Sequence, residues 1–269
     1  MNNAQLTGGE SGQSISRFAG LQRILIISFV LIVVWQLIVW LWQLPHFILP
    51  GPFRVAKVLV SQTPLLIEHA AITLVEIIAG LIIGSLAGLS CALILSSFTR
   101  TRRWLLPVLV MSQAIPVFAL APLLTLWFGY DMTPKIIMAA LIIFFPVTAA
   151  GFDGLRNAPA DRLELAASMG ASRWSILRHI RLPSALPSVA SGIRVAVAVA
   201  PIGAVVGEWV GSSKGLGYLM LHANGRMQTD LLFAALLVLC CMALLLYFTI
   251  NRFLDYWLAW QPDTTHGYR

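Results

Sequence analysis

The stretch "ELAASMGASRWSILRHIRLP", Glu164–Pro183, carries one carboxylate, one imidazole and three arginines between two long apolar runs. The whole chain has 269 residues, of which 58% are hydrophobic and only 11% charged, against about 25% charged in a soluble globular domain. Mean hydropathy is +0.83. The composition is that of an all-α integral membrane protein. How this polar interruption is read decides the arrangement of the spans on either side of it.

A helix crossing the hydrocarbon core needs about 18 or more apolar residues at a rise of about 1.5 Å each. Ile24–Trp42 and Ala70–Ser97 meet that length, followed by a proline-broken run Trp104–Phe128 and then Ile136–Gly151. Beyond the polar stretch come Ala185–Val206 and Leu231–Ile250. About six transmembrane helices are expected. The first run follows Arg17 and Arg23, as a signal peptide would, but it exceeds a signal core and lacks a small-x-small cleavage site, so it reads as a retained span. Residues 1–22, rich in Gly, Ser and Gln, read as a disordered arm. Residues 23–258 form the membrane domain, with a core over 66–250, and residues 259–269 a tail.

Short loops rich in Lys and Arg stay in the cytoplasm. With the N-terminus inside, only Arg54, Lys57, Lys135, Lys214 and Arg226 of the 18 cations fall outside. The N-terminus, the tail and the polar loop at 156–183 are therefore expected to be cytoplasmic, in the inner membrane of a bacterium. The net charge of +7 reports this topology and contact with anionic headgroups, with no implication of nucleic acid. Cys91, Cys240 and Cys241 lie inside apolar runs and read as packing residues.

The loop's own chemistry predicts two short helices. Asn157 and Pro159 signal a helix start, and Asp161 and Glu164 lie in or near its first turn, where the helix dipole favours anions. Leu163, Ala166, Ala167 and Gly170 recur at i, i+3, i+4 and i+7, Gly170 supplies a break, and Ser172 can cap a second helix that Pro183 ends. Such a pair fits an amphipathic anchor among headgroups or a docking surface for a cytoplasmic partner.

The spacing favours docking. Glu164, Ala166, Gly170, Ile180, Leu182 and Pro183 resemble the E-A-A, three residues, G, nine residues, I-x-L-P signature of permease subunits of ATP-binding-cassette importers, with Leu165 departing where alanine is usual. The likeness extends from about Phe47 onward, through "ILPGPFRVAKVL", "QAIPVFALAPLLTLWFG", "FFPVTAAGFDGLRN" and "VGEWVGSSKGLGYLM". These segments are similar to the branch importing alkanesulfonates, taurine, nitrate and thiamine-pyrimidine precursors. "IIFFPVTAAGFDGLR" and "ANGRMQTDLLFAALL" look most like hydroxymethylpyrimidine permeases.

The resemblance implies a type I importer permease fold in which the loop is a coupling helix seated on an ATPase. It makes Glu164, Ala166 and Gly170, with Ala167, Ala171, Trp174, Ile180, Leu182 and Pro183, the coupling positions. It also implies two ATPase subunits, a periplasmic solute-binding protein and a second permease copy, with a homodimer the simplest case. The chain has no G-x-x-x-x-G-K-[ST] phosphate loop, so no cofactor is expected on it, and ATP with magnesium would be bound by the partner. The expected function is passage of a small solute, a thiamine-precursor pyrimidine. Aliphatic sulfonates, taurine or nitrate-like anions are the alternative, and an ATPase-independent secondary transporter is the alternative of another class, although no internal repeat supports it.

Candidates for the path are Glu76, an intramembrane carboxylate, then Ser112, Gln113 and Pro116, where prolines free backbone carbonyls, and Glu208 at the outer end of the fifth span. Gly80, Gly84 and Gly88 repeat every four residues, a spacing that suits contact within one subunit or with another copy. "GSSKG", Gly211–Gly215, with His222 and Asp230 downstream, formally meets the serine-hydrolase pattern G-x-S-x-G, but it opens a loop after a membrane helix where that chemistry needs a strand-to-helix elbow. The five histidines are scattered, without H-E-x-x-H, so no metal site is expected.

Overall fold

The structure, a computed structural model, describes residues 9–260, all of it helix, turn or irregular chain with no strand. Helix α1 (Gly9–Leu41) carries its apolar part at Ile26–Leu41. It begins inside the arm expected to be disordered. Once an apolar segment has nucleated a helix, each further residue is fixed at the gain of one hydrogen bond, so polar flanks can follow. The rest of that arm, 1–8, and most of the tail, 261–269, lie outside the described residues.

Helix α2 (Pro52–Ser61) starts on a proline whose missing N–H is not needed at that position. Helix α3 (Thr63–Ser97) is the second span. The run expected as one broken span is an elbow: α4 (Thr99–Ser112) leads through a 3-10 turn, Val117–Leu120, into α5 (Ala121–Phe128), and the two arms are bent by 88°. Pro116 cannot continue the α4 ladder and disfavours helical backbone at Ile115. Helix α6 (Met132–Arg156) follows, then the loop helices α7 (Ala160–Ser168) and α8 (Arg173–Ile176). Helix α9 (Leu182–Gly211), α10 (Leu216–Gly225) and α11 (Thr229–Trp257) complete the chain. Four helical stretches are long and apolar enough to cross a membrane: α3, α6, Arg173–Gly211 and α11. With the elbow and the shorter α1 they account for the six expected apolar segments.

Pro183 does not end the second loop helix as expected. Residues Leu177–Arg181 form a π-helical stretch in which the Leu182 N–H reaches back to the Leu177 carbonyl, and helix runs unbroken from Arg173 to Gly211. The wider turn takes Pro183, which has no N–H to donate, into the continuous helix at its junction with α9. At 39 residues this rod is about 58 Å long.

At the centre, α6 lies between α3 and α9, with Ile77, Ala139, Ile143, Val147, Ala196, Ala200 and Ala204 forming a fully buried core. Glycine makes the approach possible. A β-carbon on Gly84 would fall 2.6 Å from the Ala140 carbonyl oxygen, and one on Gly203 would fall 2.6 Å from Ala139 Cα. Gly80, Gly84 and Gly88 thus pack within the chain, against α6. Gly84→Val is expected to lower stability by about 1–3 kcal/mol, the usual cost of overpacking; a melting temperature equal to wild type in detergent would show that the α3–α6 interface can open.

On the loop side of the bundle, Arg194 of α9 donates through Nε to Asn251 Oδ1 (2.6 Å) and through the guanidinium to Asp255 Oδ1 (2.5 Å), tying the rod to α11. Cys240 and Cys241 do not pack inward as expected; both are exposed on α11, because the inward face of that helix is taken by Ala234, Ala235 and their neighbours.

Candidate functional site

The polar loop is built around one backbone event. Gly170 has φ +73°, a conformation that glycine adopts without steric cost. Its N–H donates to the Ala167 carbonyl and the Ala171 N–H to the Ala166 carbonyl, both at 3.0 Å. These are the two hydrogen bonds of a Schellman helix end, so the glycine of the signature is the residue that turns the chain out of α7. Ser172 then caps α8, its Oγ accepting from the Ser175 N–H at 3.2 Å. Leu163 and Ala166 are half-buried, while Glu164, Ala167 and Gly170 are exposed. Leu165, Met169 and Trp174 are exposed by 64, 78 and 68%, an apolar group on a charged loop that none of the described residues covers. Ile180, Leu182 and Pro183 are half-buried where the rod enters the bundle.

A second cluster sits at the far end of the rod. Gly215 and the next three residues present the four N–H groups that a helix start leaves without intrahelical partners. All four are taken by side chains of other helices. The Gly215 N–H donates to His69 Nδ1 (2.9 Å) and the Leu216 N–H to Thr73 Oγ1 (2.8 Å). The Gly217 and Tyr218 N–H groups donate to Glu208 Oε2 (2.5 and 3.2 Å). Thr73 Oγ1 donates in turn to Glu208 Oε1 at 2.6 Å. His69 Nδ1 also lies 3.0 Å from the Gly215 carbonyl oxygen, so the neutral ring accepts from the Gly215 N–H as the Nε2–H tautomer and donates to that carbonyl as the Nδ1–H tautomer. A carboxylate at a helix N-terminus also meets the positive end of the dipole. Gly215 has φ +112°, and the Glu208 carboxylate occupies the space that a β-carbon there would need.

One turn along α3 from Thr73, Glu76 is fully buried, and Lys135 of α6, 5% exposed, brings Nζ to 3.7 Å from its Oε1. Neither Glu76 oxygen has a hydrogen bond. This is a buried ion pair held by charge and packing.

The five candidate path residues therefore do not form one site. Glu76 and Glu208 join α3, α6, α9 and α10. Ser112, which bonds the Leu109 carbonyl at 2.8 Å, lies with Gln113 and Pro116 at the elbow, where Gln113 and Pro116 are exposed. The residues of the rival hydrolase pattern are engaged elsewhere: Asp230 lies 4.0 Å from Arg54, and the His222 ring lies tilted by 51° against Tyr218 with centroids 4.2 Å apart. His69, Thr73 and Lys135 were not singled out from the sequence. The signal was present on α3, where His69, Thr73, Glu76 and Gly80 share one helical face, so that the polar residues extend the glycine stripe.

The chain matches the family described as "Binding-protein-dependent transport system inner membrane component" over residues 77–258. It is 57% identical over 227 residues to a protein of Haemophilus influenzae described as "Probable ABC transporter permease protein", covering 84% of this chain and 93% of that one. It is 38% identical to the riboflavin transport system permease of Chloroflexus aurantiacus (85% and 87% covered) and 34% identical to the formylaminopyrimidine transport permease of Halalkalibacterium halodurans (86% and 92%). In fold it is similar to a chain of the inward-facing MetNI methionine ABC transporter, with a TM-score of 0.64 at 19% identity, covering 73% of this chain and 97% of that one. A multi-helix membrane bundle with the signature loop on a continuous helix agrees with these likenesses, and the chain belongs to the binding-protein-dependent transport system inner membrane components, the permease subunits of ABC importers.

Proposed function

We propose that two copies of this chain, with two ATPase subunits and a solute-binding protein, import a thiamine-precursor pyrimidine across the bacterial inner membrane, with the N-terminus and the signature loop in the cytoplasm. The observation that carries the coupling role is the exposed apolar trio Leu165, Met169 and Trp174 around the Schellman turn, on a helix continuous with a span. Apolar side chains held in water on a rigid turn fit a protein groove, and the loop's placement on the rod lets an ATPase push on the membrane domain without an intervening hinge. The elbow at Ser112–Pro116 supplies freed backbone polar groups of the kind that line a translocation path.

For the solute, the support is the likeness to the formylaminopyrimidine permease, which extends over nearly the whole chain. Lys135, the one buried lysine or arginine among the described residues, is engaged by Glu76. A sulfonate or nitrate-like anion would therefore find no unengaged buried cation among the described residues, which favours an uncharged ring. The likeness to a riboflavin permease supports a flavin as the second reading.

The cognate binding protein is expected to melt at a higher temperature with hydroxymethylpyrimidine or formylaminopyrimidine than with riboflavin, taurine or nitrate. Stabilisation by riboflavin alone would move the assignment to the flavin, and stabilisation by taurine to the anions.

A further inference from the structure

Helix α10 contributes none of its own side chains to capping its start. Its four free N–H groups are satisfied by His69 and Thr73 from α3 and by Glu208 from α9, and Thr73 joins the two helices by donating to Glu208. Its apolar side is buried as well: Leu216 and Leu219 pack with Val55 of α2, Leu66 of α3, and Ala234 and Ala235 of α11. Helix α10 is therefore the part through which the far end of the rod reaches α2 and α11. The rod's other end is the signature loop, and no break in the helix separates Arg173 from Gly211.

We propose that His69, Thr73 and Glu208 are a latch that binds α3, the α8–α9 rod and α10 into one moving unit at this end, so that a displacement imposed by the ATPase at the loop is delivered to the opposite face of the membrane through α10. This rests on the importer reading above. The three residues are positioning residues: they act through the helix they cap. The local chemistry suits such a role. A shift of α9 relative to α3 carries Glu208, and with it the Gly217 and Tyr218 amides, away from Thr73 and His69. The latch opposes that separation and holds the three helices together, because each donor left alone in a buried site is costly. The turn before α10 leaves no slack, since Gly215 packs directly on the Glu208 carboxylate. At the surface, Lys214 Nζ lies 2.9 Å from Glu68 Oε1 and pins the same turn to α3.

The test uses the permease assembled with its ATPase and binding protein in proteoliposomes. Thr73→Val keeps the side-chain shape, removes the bond to Glu208 and leaves the Leu216 amide unpaired; Thr73→Ser restores the hydroxyl. With Val, the expected result is an unchanged yield of complex, basal ATP hydrolysis within about twofold of wild type, and a loss of at least about tenfold in binding-protein-stimulated hydrolysis and in uptake, with Ser recovering both. A reporter attached at Asn224→Cys, on the exposed side of α10, should respond to ATP in the wild-type background and fall silent with Val. Full stimulation and uptake in the Val variant would overturn the latch. So would a parallel fall of basal and stimulated rates, a loss of assembled complex, or a reporter that ignores ATP with Thr73 intact, since each leaves these residues with only a structural cap to form. A wild-type chain that assembles with no ATPase would overturn the importer reading itself, a result separate from all of these.

Discussion

Lys135→Met should lower the stability of the purified protein by about 3–5 kcal/mol, the usual consequence of removing one partner from a buried ion pair. Glu76 has no hydrogen bond to either oxygen and Lys135 Nζ at 3.7 Å, so the single substitution leaves a buried carboxyl group beside that of Glu208 with no cation to offset it. Glu76→Met combined with Lys135→Met removes both charges at similar volume and should recover most of the loss, because an apolar replacement for a buried pair is often neutral. Tryptophan-fluorescence melting in detergent reads all three variants. A Lys135→Met protein that melts with wild type would mean that water or a neighbouring group already neutralises Glu76.

Gly170→Val should act in the opposite manner, leaving stability alone and disabling transport. The position is exposed, and nothing lies within 4 Å of a β-carbon built there, so packing has no objection to a side chain. The backbone has one. At φ +73° a β-branched residue costs about 1–3 kcal/mol, enough to shift the local equilibrium away from the native turn by roughly five- to a hundredfold, at about 1.4 kcal/mol per factor of ten. Uptake and co-purification of the ATPase should fall by that factor while membrane insertion and melting temperature stay constant. Gly170→Asn should be milder, since asparagine tolerates this conformation. A Val variant with wild-type uptake would remove the turn from the coupling mechanism.

Much of the architecture was legible because hydropathy and proline act locally. The long apolar runs became spans, and Gly170 was readable as a turn because only the local backbone had to be judged. The glycines of α3 announced a close approach, but their partners, Ala139 to Val147, had to be found by folding. Lys135 was counted with the outward charges because a cation near the end of a span ordinarily faces water; the structure buries it against α3, where Glu76 lies. The latch was out of reach for a related reason. Its acceptors and donors are 143 and 146 residues apart for Thr73 with Leu216 and His69 with Gly215, and the Glu208–Thr73 bond spans 135, so no window of sequence contains both sides. The π-helical stretch had no signal either: Pro183 argued for a stop, and the chain instead absorbed it by widening one turn.

That widened turn also fixes an angle. Each residue of an α-helix rotates its successor by about 100°, whereas a π turn takes in one extra residue over nearly the same rotation, so the residue stored in Leu177–Arg181 leaves the faces of α8 and α9 close to their plain-helix relation. The number of α-helical residues between the signature glycine and Glu208 therefore sets the compass bearing at which the carboxylate meets α10, as well as the distance. Adding a single residue to the α-helical part of the rod would lengthen it by only about 1.5 Å, yet swing Glu208 by about 100° away from the amides it helps to gather. A lengthwise push and a rotational phase are in this way carried by the same uninterrupted helix.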